Sequence, residues 1–158
     1  MAFFVPGTLC PLCDKPILAL DRKVMFSPFV TNEADPIFPF SDGIFHNDCF
    51  RQHPLAKIVE FFYLRYRESN DVRNRKCLVC HEAINDPADY VGFGCLTPDD
   101  SNPLSAYNFA HFHRSCLGRW PDLSNVIRIL KDQLVSGAVK GKGIDWVFNT
   151  LKESTSDL

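Results

Sequence analysis

The strongest constraint on this chain is a two-part motif that occurs twice at one spacing. "CPLC" at 10–13 is followed by "FHNDC" at 45–49, and "CLVC" at 77–80 is followed by "FHRSC" at 112–116. Each ligand-type residue of the second copy lies 67 positions after its counterpart, so Cys10, Cys13, His46 and Cys49 map without a gap onto Cys77, Cys80, His113 and Cys116. Ile17/Ile84, Val24/Val91, Phe26/Phe93, Pro36/Pro103 and Pro54/Pro121 keep the same offset. A fixed period of this kind is read before any local pattern, and duplication is its simplest source.

These residue types at this spacing fit a metal. Zinc takes four ligands in a tetrahedron drawn from Cys thiolate and His nitrogen, with Zn–S near about 2.3 Å. A Cys-x-x-Cys turn converges two sulfurs on one ion, and a His and a Cys three residues apart lie on one face of a helical turn. Each copy therefore offers a complete Cys3His set, and four protein ligands imply a closed, structural site rather than one with an open catalytic position. The expected cofactors are two Zn2+, one per copy, although a Cys3His set also admits iron.

The seven cysteines are an odd number, which does not suit a disulfide scaffold built in pairs. A redox reading of Cys-x-x-Cys needs a thioredoxin-like strand and helix around it, which "TLCPLCDKPI" does not supply. The 158 residues fit one domain or two small ones. The period favours two, 1–70 and 71–158, each small enough to need a metal for stability. No stretch approaches the roughly 20 apolar residues of a membrane helix, and no secretory leader is recognisable at the start, so a cytoplasmic, membrane-free protein is the expectation.

Between the ligand pairs, "KVMFSPFV" and "GIFHNDCF" read as two strands, as do "ADYVGFGCL" and "AYNFAHFH" in the second copy. After each His-x-x-Cys, Pro54 or Pro121 marks the start of a new helix. Leu55, Ile58, Val59, Phe62 and Tyr66 recur at helical spacing, as do Leu123, Val126, Ile127, Leu130 and Leu134. "GIDWVFNTLKES" reads as a last short helix packing Trp146, Val147 and Leu151, and "STSDL" is expected to fray. The fold class is α+β.

A zinc knuckle, a β-hairpin and a helix whose first turn carries the last two ligands resembles the treble-clef zinc-finger group, once per copy through "CPLC…FHNDC" and "CLVC…FHRSC". The resemblance implies fold and metal but not activity, since such units serve nucleic-acid binding, protein docking, ubiquitin transfer and nuclease chemistry. RING-like and PHD-like modules interleave their ligands, whereas here 27 residues separate Cys49 from Cys77. LIM modules set their half-sites nearly back to back, which also differs. Nucleases of the His-Asn-His type carry an extra hairpin histidine, for which the candidate is His111, with Ile44 in the first copy.

The remaining candidates concern partners. Arg65, Arg67, Arg73, Arg75 and Lys76 concentrate cations between the copies and could meet nucleic-acid phosphate or an acidic protein; a solvated helix end is the plainer account. Ile37, Phe38 and Phe40 lie in an apolar loop that either packs between the copies or docks a partner. Cys95 falls outside the ligand pattern and reads as a small buried side chain. The net charge of −2 argues against a molecule that is basic overall. A structural-zinc binding module, foremost a protein–protein adaptor or inhibitor, is the leading expectation. A nucleic-acid-binding zinc finger is the alternative, and a nuclease or ubiquitin-ligase-like enzyme is a remote one.

Overall fold

A computed structural model describes residues 4–155, and the last part of the expected fraying tail, 156–158, lies outside them. The chain is α+β. Strand β1 (Lys23–Met25) pairs antiparallel with β2 (Ile44–His46), and β3 (Tyr90–Gly92) pairs antiparallel with β4 (His111–His113). The strands are shorter than the apolar runs that announce them, because the residues beyond three are diverted into turns and helix. Period-two alternation sends Val91, Phe45 and Phe112 inward, and all three are buried.

Helix α1 (Asn47–Gln52) starts as soon as β2 ends, with His46 as its N-cap residue. The matching segment after β4, Arg114–Arg119, winds as a 3-10 helix. Helix α2 (Ala56–Asn70) follows Pro54, and α3 (Leu123–Ser136) follows Pro121. Val59 and Phe62 of α2 and Leu123, Val126 and Leu130 of α3 are buried, as a 3.6-residue period requires. Gly137 ends α3 in the left-handed conformation at φ +75°, a position that suits a residue without Cβ. Helix α4 (Lys142–Glu153) packs on α3 through Ile144, Val147 and Leu151. Trp146, expected to pack with them, is 47% exposed because the buried stripe runs through Ile144, Val147 and Leu151 and leaves it at the edge.

Positions 67 apart agree in fine detail. Asp14 and His81 both have positive φ, at 56° and 63°, as do Asp42 and Phe109, at 59° and 60°. Ser41 Oγ accepts the backbone N–H groups of Phe29 and Val30, while Asn108 Oδ1 accepts those of Leu96 and Thr97. Asp35 Oδ1 accepts from Ile37 N, and Asn102 Oδ1 from Leu104 N. Phe40 meets His53 edge-on at 5.0 Å, and Tyr107 meets Trp120 at 5.1 Å.

The two halves are joined along a seam. Cys95 N donates to Phe29 O at 2.7 Å and Thr31 N donates to Cys95 O at 2.8 Å, forming a parallel bridge between Val30 and Cys95. Buried Asn32 spans the same junction, its Oδ1 accepting from Lys140 N and its Nδ2 donating to Ala138 O. Gly94 lies where a Cβ would stand 2.6 Å from Thr31 Oγ1 and 2.9 Å from Phe29 O, so the backbones approach too closely for a side chain. Phe109 crosses over to pack on Phe62 and Tyr66 of α2, within the first apolar core.

Candidate metal centres

Each candidate centre is assembled from a turn and a strand end. In the first, the N–H of Cys13 and that of Asp14 both point to Cys10 O, the latter at 2.9 Å, closing a knuckle that turns the Cys10 and Cys13 sulfurs the same way. Asp14 takes the left-handed conformation there, one that Asp and Asn tolerate better than most side chains. In the second, His81 N reaches Cys77 O at 2.9 Å, and His81 has the matching φ. The hairpins then deliver His46 and His113 at the ends of β2 and β4, and the following helical turns deliver Cys49 and Cys116.

The result is two sets, Cys10, Cys13, His46, Cys49 and Cys77, Cys80, His113, Cys116, in each of which all ligand atoms lie within 4.8 Å of one another. Bonds of the usual length place tetrahedral ligands roughly 3.7 Å apart. The Cys13 Sγ to His46 Nδ1 distance is 3.4 Å and the Cys80 Sγ to His113 Nδ1 distance is 3.3 Å, so both sets are close to that spacing and present Nδ1 to their centre. His46 Nε2 lies 3.5 Å from Asp21 Oδ2. A carboxylate on the far nitrogen favours the tautomer whose Nδ1 lone pair is free to ligate.

The electrostatics also ask for a cation. His46 N donates to Cys10 Sγ and His113 N to Cys77 Sγ, stabilising thiolate. Burial pushes the Cys77 thiol up, but the N–H groups of Cys80, His113 and Val79 outweigh it and hold the pKa at about 6. In the first set the Lys15 backbone N–H draws Cys13 down, and a hydrogen bond to Cys13, with burial, then pushes Cys49 up to about 11. Three thiols this close resist ionising together unless a positive ion sits among them. Two such Cys3His sets fit two zinc ions of the closed, structural type, which contribute folding free energy and leave no coordination position for substrate.

The other sequence candidates are placed differently. Ile37 and Phe40 are 1% and 3% exposed and belong to the first apolar core, so these two are interior, with Phe38 partly buried against it. The cations of the basic segment are exposed except Arg75, and several of them already have neighbours. Arg73 makes a two-point pair with Asp71, at 3.0 and 2.6 Å, and holds its carboxyl down at about 2. Arg75 turns inward, donating to Asn70 O and Oδ1 and lying 4.8 Å over the Tyr90 ring. Arg65 stacks on Phe61, and of the five only Arg67 and Lys76 are exposed without such a contact.

His111 shares a strand face with His113 but not a site. It is buried, with Nδ1 at 3.0 Å from Tyr90 Oη and Nε2 at 2.9 Å from Ser69 O, and burial holds its pKa below the usual value. Both nitrogens are engaged, Nδ1 within its own half and Nε2 across to the first half, which leaves neither for a metal or a water. Cys95 is fully buried, and burial followed by the nearby Asp35 charge pushes its thiol up to about 12.

Compared with protein-family models, with curated proteins and with solved structures, the chain gives no match. What is established is thus a class: a small α+β fold with two Cys3His sets suited to structural zinc. Among the described residues no helix is long and apolar enough to cross a membrane.

Proposed function

We propose that the chain is a pair of treble-clef-like zinc fingers, spanning 1–70 and 71–158 and related by duplication, that works as a protein–protein adaptor or inhibitor. The observation that carries this reading is closure: each set supplies four protein donors, so the metals serve shape rather than turnover. The agreement of φ angles and hydrogen bonds at positions 67 apart supports the duplication.

A protein partner is favoured over nucleic acid because Arg73 and Arg75 already hold protein partners and an exposed apolar patch lies on the first knuckle. On the first knuckle Leu9 and Pro16 form a bridge pair, and Leu18 lies two residues on, so all three face outward while Ile17 is buried. Leu20 beside them is 98% exposed. The corresponding positions of the second half hold Lys76, Asn85 and Pro87, so the fold itself does not need leucines there. A nuclease reading loses its base with His111 engaged on both nitrogens.

The test is elemental analysis of the purified protein, expected to give two zinc ions per chain. It is followed by co-purification with partners, insensitive to nuclease, for the native chain and for Leu9→Lys with Leu18→Asn. Partners retained in full by the double variant, or captured only through nucleic acid, would refute the docking assignment.

A further inference from the structure

The two Cys3His sets are not equivalent, and we infer that the first is an exchangeable metal site, reached by small soft-donor ligands such as thiolates, whereas the second is permanent. The inference rests on the reading of both sets as zinc sites.

Three differences point the same way. A cavity of about 520 Å³ opens directly on the first set and is lined by Cys13, His46 and Cys49, together with Lys15, Asp21 and Asp48. Cys49 is partly exposed, whereas its counterpart Cys116 is 4% exposed. Arg119 Nη2 donates to Cys116 Sγ at 3.2 Å, placing a guanidinium against a sulfur of the second set; the equivalent residue of the first half is Gln52, which is exposed.

Ligand exchange at a four-coordinate centre proceeds by approach of a new donor, so access governs its rate. A donated hydrogen bond also makes a bound sulfur less basic and a poorer nucleophile, so it is slower to take up the proton or electrophile that would carry it off the metal. At the first set an incoming thiolate has an open face; one bond forms to it as the Cys49 sulfur departs and takes a proton from water, with no change of oxidation state. At the second set the corresponding sulfur is buried and bridged by Arg119.

The experiment uses the full chain, with zinc counted first and release then followed by the absorbance of 4-(2-pyridylazo)resorcinol. In parallel, native protein is treated briefly with N-ethylmaleimide and the labelled cysteines are mapped by mass spectrometry. The expected result is release in two phases differing by at least about tenfold, the scale on which groups around a metal act. Cys13 and Cys49 should label ahead of Cys80 and Cys116. Arg119→Gln should speed the slow phase alone, and Gln52→Arg should slow the fast one. A preparation carrying one ion, held by the second set, agrees equally. Two ions lost at a single rate, or earlier labelling of Cys80 and Cys116, would overturn the asymmetry while leaving the zinc reading intact. A folded chain without metal would overturn both.

Discussion

Asn108 offers a sharp test of the structure, because the other half contains its control. Its Oδ1 accepts from Leu96 N at 2.7 Å and Thr97 N at 3.2 Å, and its Nδ2 donates to Thr97 O at 2.6 Å. Leu96 and Thr97 are buried, so Asn108→Ala leaves two N–H groups without an acceptor. A buried unsatisfied donor costs about 1–3 kcal/mol, and some water can reach the partly exposed site, so a loss of about 2–4 kcal/mol is expected. Ser41 performs the same double acceptance with a single hydroxyl, at 2.9 and 3.1 Å from Phe29 N and Val30 N. Asn108→Ser should therefore recover about half of the loss. The assay is urea unfolding at saturating zinc, since bound metal is linked to stability. With a slope of about 1–3 kcal/mol/M, the alanine midpoint should fall by roughly 1–2 M. An alanine variant indistinguishable from the native chain, or a serine variant no better than alanine, would refute the account.

Other outcomes follow from single residues. Burial raises the pKa of Asp35, so its ionised form is penalised in the fold; its contribution is favourable in acid and lost as pH rises through that raised pKa. Asp35→Asn, which copies Asn102, should stabilise the chain at neutral pH and lose that advantage in acid, as read from thermal midpoints across pH. Gly94→Ala should destabilise by about 1–3 kcal/mol, because its methyl would meet Thr31 and Phe29 O; an unchanged denaturation midpoint would contradict the close approach. Cys95 should stay unlabelled by a thiol reagent in the folded chain and react once urea unfolds it, given its burial and a pKa of about 12.

The metal sites were legible because ligand chemistry imposes short, rigid spacings, and the two copies reinforced one another. The long helices were legible for a similar reason: Val59, Phe62, Val126 and Leu130 mark one side of a 3.6-residue repeat. The seam was not. It depends on Cys95, Asn32, Gly94 and Phe109 meeting residues far away in the chain, and no local period marks them. The loop at Ile37, Phe38 and Phe40 left packing and docking both open, since apolar content does not reveal whether a small core has room for it; Ile37 and Phe40 are in fact packed. Arg73 and Arg75 look like free charge in sequence; only folded geometry supplies Asp71, Asn70 and Tyr90 as their partners.

Phe109 has a consequence for how the molecule can be divided. Held at φ 60°, a conformation uncommon for so bulky a residue, it carries its ring into the interior of the opposite half, against Phe62 and Tyr66. A cut at the midpoint would leave a phenyl-sized hole in one fragment and a stranded greasy ring on the other. Neither piece would be a faithful miniature of the whole, and the two would be expected to reassociate when mixed.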